Sequence, residues 1–195
     1  LSLAQDSLVR LGITNPTNEQ LQAALLGGDV TAADGSTVTL RGILQMRADG
    51  MGWAIEQLCD RAEEEVRKGC NIIILSDRKA GADRIPIPSL LACSGVHHHL
   101  IRKGKRSQCG LVIESGEPRE VTHFCLLLGY GASAINPYLA YETVHDQVQS
   151  GNMQKIDGVK GVDNYIKAVH KGVRKVMSKM GISTLQSYQG AQIFE

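Results

Sequence analysis

The stretch Ile72-Ile-Ile-Leu75-Ser-Asp-Arg78, followed by Pro86-Ile-Pro-Ser89-Leu-Leu91, decides how this chain is read. Four apolar residues, three of them β-branched, stop abruptly at Ser-Asp-Arg; the run predicts a short strand buried on both faces, as in a parallel sheet. Gly81, Asp83, Pro86 and Pro88 then supply loop chemistry. Ser89 is placed to cap a helix whose apolar positions are Leu90, Leu91, Val96 and Leu100. The unit repeats. Gln108 to Ile113 predicts a second strand, ending in Glu114-Ser115-Gly116. Val121 to Leu128 predicts a helix, and Ala132 to Ile135 a third, short strand ending in Asn136-Pro137. Strand, polar loop, helix and strand in that rhythm predicts parallel βαβ crossovers and an α/β fold.

Upstream, Trp53, Ile55, Leu58, Cys59, Ala62 and Val66 form a helical stripe closed by Lys68-Gly69. Residues 1 to 50 are weakly patterned. Short helices around Leu3–Leu11 and Leu21–Leu25 and a hairpin about Asp34-Gly35, within Val30–Leu40, are the local readings. Downstream, Tyr138, Tyr141, Val144 and Val148 predict a helix closed by Ser150-Gly151. The glycine-rich run 150–161 is the best linker, dividing the chain into domains 1–150 and 151–195. Asp163-Asn164 then reads as the cap of a long amphipathic helix carrying Tyr165, Ile166, Val169, Val173, Val176 and Met177. Its other face holds Lys167, His170, Lys171, Arg174 and Lys175, a pattern that is usually solvated. Gly181 to Thr184 predicts a strand, and Gln186 to Phe194 a turn or short helix.

Composition narrows the function classes. A net charge of +1, from 21 basic and 20 acidic residues, leaves no electrostatic footprint for nucleic acid. No apolar run reaches the ~20 residues of a membrane span. The start, Leu1-Ser-Leu-Ala-Gln-Asp6, has neither the basic nor the apolar region of a signal peptide, and without an initiator Met it reads as part of a longer chain. The five cysteines have no ligand-like spacing and read as buried, reduced thiols.

Several motifs invite chemistry. Gly129-Tyr-Gly131-Ala-Ser-Ala134 has the letters of a dinucleotide fingerprint, but a helix precedes it and a strand follows, so it reads as a helix-to-strand turn. His97-His98-His99 cannot converge on one metal ion, because successive helical positions differ by about 100°. One or two of those rings are expected to bridge buried polar groups. Asp77, Arg78, Glu114 and Asn136 all end predicted strands and so gather at the edge where α/β folds place binding groups. They hold a ligand there or they pair among themselves, with Asp77 capping backbone amides and Asp and Arg joined to each other.

Many short motifs also carry a family resemblance. Ile73 to Arg78, Asp83-Arg84, Pro86 to Ala92, Val96 to Leu100, Gly110 to Gly116, Arg119 to Phe124, Gly129 to Gly131 and Asn136 to Ala140 resemble the central domain of the glutamate synthase large subunit. Lys175-Val-Met-Ser-Lys-Met-Gly-Ile-Ser183 and Ser187-Tyr-Gln-Gly-Ala-Gln192 resemble the opening of that family's flavin-binding synthase domain. The family usually carries Arg at the position of Gln189. The resemblance implies a parallel βαβ central (connecting) domain followed by the first helix and strand of a β/α, TIM-type FMN barrel. For residues 1–50 it implies an edge of the central domain that leads into a helix. It further implies part of an iron–sulfur flavoprotein that makes glutamate from glutamine and 2-oxoglutarate, in the cytoplasm or a plastid stroma. This segment would connect glutaminase and synthase sites and help form an ammonia tunnel. FMN and an iron–sulfur cluster would belong to the full-length enzyme, with neither complete here, and no residue of this segment is expected to be catalytic. Partners would be the amidotransferase, FMN and C-terminal domains of the same polypeptide, and an electron donor, either ferredoxin or a nicotinamide-dependent small subunit. Lys179, Met180, Gly181 and Ser183 would lie near the FMN; otherwise they pack as an ordinary strand. A free-standing α/β module that binds a phosphate or carboxylate at the strand edge is the competing reading.

Overall fold

The computed structural model describes residues 40–43, 50–81, 84–153, 156–191 and 193. The sequence readings for residues 1–39, and Asp83, fall outside them. Among the described residues, β1 (Leu40–Ile43), β2 (Ile72–Ser76), β3 (Gly110–Glu114) and β4 (Ala134–Asn136) form one parallel sheet in the order β1-β2-β3-β4. The strands alternate with α1 (Met51–Arg67), α2 (Ser89–Arg102) and α3 (Val121–Gly129), the βαβ rhythm read from the sequence. Among the described residues β1 is an edge of this sheet and precedes α1 in the chain. Helices α4 (Tyr138–Gln149), α5 (Gly158–Lys179) and α6 (Leu185–Tyr188) follow.

The sheet's burial alternates, which corrects the expectation of a strand covered on both faces. Ile73, Leu75, Leu111 and Ile113 are almost wholly buried and form one core with Ala54, Leu58 and Ala62 of α1, Val96 and Leu100 of α2 and Leu127 of α3. Ile72, Ile74 and Val112, on the opposite face, are half-buried. The apolar side of α1 is as predicted except for Trp53, which is exposed in the first turn.

A second cluster gathers Phe124 and Cys125 of α3, Val169, Val173 and Met177 of α5, and Tyr188. Close approach at one glycine makes it possible. A side chain at Gly172 would overlap Val121, so the absence of a Cβ lets α5 lie directly on α3. The cap of α5 is Asp157, whose Oδ1 accepts from Lys160 N at 2.7 Å; Asp163 and Asn164 lie inside the helix. The earlier cap wins because the apolar spacing of α5 continues N-terminally through Gly161, which packs near Val144 of α4.

Gly181–Thr184 is not a strand. Gly181 N donates to Ser178 O and Ile182 N to Met177 O, with Gly181 at φ 72°, a left-handed closure of α5. Thr184 then caps α6 through its Oγ1, which accepts from Ser187 N at 3.3 Å. No helix of the described residues is long and apolar enough to cross a membrane.

Candidate site at the strand ends

The carboxyl ends of β2, β3 and β4 bring the predicted polar residues together. Glu114, 4% exposed, is the hub. Its carboxylate accepts from the Ser76 hydroxyl, from Arg78 Nε at 2.9 Å and from Asn136 Nδ2 at 3.3 Å. The Arg78 guanidinium lies over the Tyr138 ring, 4.1 Å from its centroid, and its Nη1 reaches the exposed Glu142 carboxylate at 3.3 Å. The parallel register explains the gathering: Ser76 pairs with Glu114, and Glu114 with Asn136, so three strand ends stand in line.

Asp77 is held separately. Its carboxylate accepts from the Ser115 hydroxyl at 2.6 Å and from Gly116 N at 3.1 Å. It also takes the Tyr138 hydroxyl; burial, and after it this carboxylate, push that phenol's pKa up. Asp77 therefore caps a backbone amide as expected, whereas Arg78 pairs with Glu114 and Glu142 rather than with Asp77. Glu117, beside this network, was missed by the sequence reading. Its Oε2 accepts from both the backbone N of Ser89 (2.8 Å) and the Ser89 hydroxyl. Pro88 is the N-cap of α2 and has no side-chain acceptor for the first amides, so a carboxylate from the next crossover loop caps the helix instead of Ser89. The signal was available only as an acidic residue in the corresponding loop of the following unit.

At the opposite ends of the strands Arg106 ties three elements: Nε donates to His97 Nδ1 (2.9 Å), Nη1 to Cys109 O (2.7 Å) and Nη2 to Gly131 O (2.7 Å). Burial first, then Arg106, pushes the His97 pKa down to about 4, so the ring is a neutral acceptor. Gly131 stands at φ 108° and its missing side chain leaves room for that ring. Ala132 N to Leu127 O and Gly131 N to Leu128 O close α3, the helix-to-strand turn predicted from Gly129-Tyr-Gly131. His99 Nε2 lies 2.9 Å from the Glu63 carboxylate, so two of the three histidines bridge polar groups. All five cysteines are free, and burial raises the thiol pKa of Cys93 to about 12.

Lys179, Met180, Gly181 and Ser183 lie at the C-terminal end of α5. All four are exposed, Lys179 as the last residue of α5 and the other three on the turn after it, and a Cβ at Gly181 would meet nothing within 4 Å.

The sequence profile described as "Glutamate synthase central domain" matches residues 4–195. The chain belongs to the glutamate synthase central-domain family. It is 51% identical over 141 residues to "Glutamate synthase [NADPH] large chain" of Bacillus subtilis, covering 72% of this chain and 9% of that protein. It is 49% identical over 147 residues to "Glutamate synthase [NADH]" of Schizosaccharomyces pombe, covering 75% of this chain and 7% of that protein. Against "Ferredoxin-dependent glutamate synthase 2" of Synechocystis the match is 38% over 192 residues, covering 91% and 12%. This central domain thus spans about a tenth of the length of these curated relatives. Among solved structures, a mutant flavocytochrome b2 with benzoylformate superposes with a TM-score of 0.54 at 12% identity, covering 78% of this chain and 33% of that one. At that identity the likeness concerns the fold.

In this central domain Gln189, where the resemblance leads one to expect Arg, donates from Nε2 to Ala132 O at 2.6 Å. Gly190 N donates to Gly129 O at 3.1 Å. The side chain therefore pins the C-terminal turn to the α3–β4 connection.

Proposed function

We propose that this segment is the connecting domain of a glutamate synthase, an amidotransferase-coupled iron–sulfur flavoprotein that makes glutamate from glutamine and 2-oxoglutarate. The observation that carries the reading is the family match across residues 4–195, with identities of 38–51% to glutamate synthases using three different electron donors. Residues 1–150 would join the glutaminase and synthase sites and help line the ammonia passage. Residues 151–195 would lead into a TIM-type FMN domain, a reading that the likeness to a flavocytochrome fold supports. The segment contributes a scaffold and is expected to be inactive alone. The polypeptide that contains it should form glutamate from glutamine and 2-oxoglutarate with a reduced electron donor. Absence of that activity in a folded, flavin-loaded full-length preparation would refute the reading.

Contact with FMN by Lys179, Met180, Gly181 and Ser183 would be made from an outward-facing turn, toward a flavin held by residues beyond this chain. Gly181 is a poor probe, because its φ of 72° penalises any side chain. Ser183→Ala and Lys179→Ala leave the helix closure alone. Reduced flavin absorbance per polypeptide in either folded variant supports the contact; full occupancy in both removes it.

The competing reading, a free-standing module binding an anion at the strand ends, is not favoured. Arg78, the cation of the predicted cluster, is already engaged by Glu114 and Glu142, and the amide of Gly116 is already taken by Asp77.

A further inference from the structure

The outer face of α5 carries Lys167, Lys171, Lys175 and Lys179 at four-residue steps, with Arg174 beside them. Positions four apart on a helix are neighbours that drift by about 40° per step, so the four lysines rise about 18 Å along the axis while winding about a third of the way around it. Like charges four apart destabilise an isolated helix, and a face meant only for water ordinarily mixes its signs. Here one acid, Asp163, stands four residues before Lys167 at the start of the row, against five cations beyond it, and Asp157, the cap, is engaged by the Lys160 amide. Among the described residues none of these five cations has an ion-pair partner.

Two other occupants fit poorly. A membrane-surface helix needs its apolar face free to enter lipid, yet Val169, Val173 and Met177 are buried against α3 and Tyr188. A nucleic-acid groove would bring a cationic excess and several stacking aromatics, whereas the whole chain carries +1 and His170 is the one ring set among these lysines. What remains is a protein surface rich in carboxylates, and the curated relatives are roughly ten times longer than this segment, so most of the polypeptide's surface lies elsewhere.

We propose that Lys167, Lys171 and Lys175, with Arg174, dock on an acidic surface of another domain of the same longer polypeptide. The proposal rests on the functional reading above only in requiring that polypeptide. The test uses the wild-type full-length protein. Zero-length carbodiimide coupling followed by peptide mass spectrometry should join Lys167, Lys171 or Lys175 to aspartates or glutamates outside residues 1–195. Acetylation of these lysines by an amine-reactive ester should run about threefold or more below that of Lys103, whose side chain is 50% exposed, and the gap should narrow in 1 M salt. Cross-links confined to carboxylates within residues 1–195, or acetylation as fast as at Lys103, would overturn the proposal and return these lysines to solvent. Protection that appears only on adding phosphatidylserine vesicles would overturn it in favour of a lipid surface. Glutamate formation by the same preparation reports separately on the functional reading, so either can fail alone.

Discussion

Replacing Glu114 by Gln keeps the shape of the strand-end hub and removes its charge. The carboxylate accepts from Ser76, Arg78 and Asn136, and it is 4% exposed, so water cannot substitute for what is lost. Gln offers one acceptor oxygen, and its NH2 must face a group that already donates. Removing one partner of a fully buried ion pair costs about 3–5 kcal/mol, and a hydrogen bond to a charged group contributes about 1.5–3 kcal/mol. Arg78 retains 29% side-chain exposure and a second carboxylate, Glu142, so the low end applies: about 2–3 kcal/mol. With a urea dependence of about 2 kcal/mol per molar, the midpoint of unfolding should fall by about 1–1.5 M with no change of slope. Glu142→Gln is the internal reference: that side chain is 60% exposed, and its loss should cost less than about 0.5 kcal/mol. Equal, small shifts in the two variants would show that the Glu114 pair contributes no more than a surface ion pair.

His97, depressed to about 4 from 6.5, makes folding depend on pH: between those values the unfolded chain binds the extra proton. The stabilisation is fully present above pH 6.5 and is lost as pH falls to 4, a change of about 3 kcal/mol that urea titrations at several pH values should reveal and that His97→Gln should flatten. Gly172→Ala would raise intrinsic helix propensity, yet the overlap with Val121 should make it destabilising by about 1–3 kcal/mol, with partial relief in the double variant carrying Val121→Ala; a stabilised single variant would refute the close α3–α5 approach. Ile73→Asp puts an unpaired carboxylate where the native side chain is 1% exposed, costing several kcal/mol of a margin of ~5–15 kcal/mol, so circular dichroism should show an unfolded chain, and an unchanged melting temperature would refute the buried strand.

Local chemistry made the two βαβ units from β2 to β4 legible, with the helix α1 before them, whereas β1 was not read as a strand. Ile72–Leu75, the Ser-Asp-Arg stop and the stripe of α1 are signals within a single window of sequence. The strand-edge grouping of Asp77, Arg78, Glu114 and Asn136 was equally readable, because parallel strands align their carboxyl ends. What each group does there was not, since it depends on register and on neighbours 22 to 64 residues away. Glu117 capping α2 across 28 residues is the plainest case. The strand expected at Gly181–Thr184 failed for a different reason. Ile182 and Leu185 have the composition of a strand edge, but Gly181 sits one turn past Met177, where a left-handed residue ends a helix, and Thr184 begins the next one. The cap of α5 was misplaced because Asp163 and Asp157 both precede helical spacing, and only packing on Val144 through Gly161 selects the earlier one.

The strand order β1-β2-β3-β4 has a consequence for synthesis on the ribosome. Each strand pairs with the one made just before it, so no strand must be inserted between two already joined, and every closure spans only one crossover. Short closures carry small entropic penalties and favour rapid assembly. The sheet can therefore grow at its leading edge as the chain emerges. The last described stretch, with Tyr188 wholly enclosed and Gln189 and Gly190 bonded back to Ala132 and Gly129, fastens the final unit only after some sixty further residues have appeared. Until α5 and then this last stretch emerge, the side of α3 that carries Phe124 and Cys125 stays uncovered, an apolar surface open to the wrong partners.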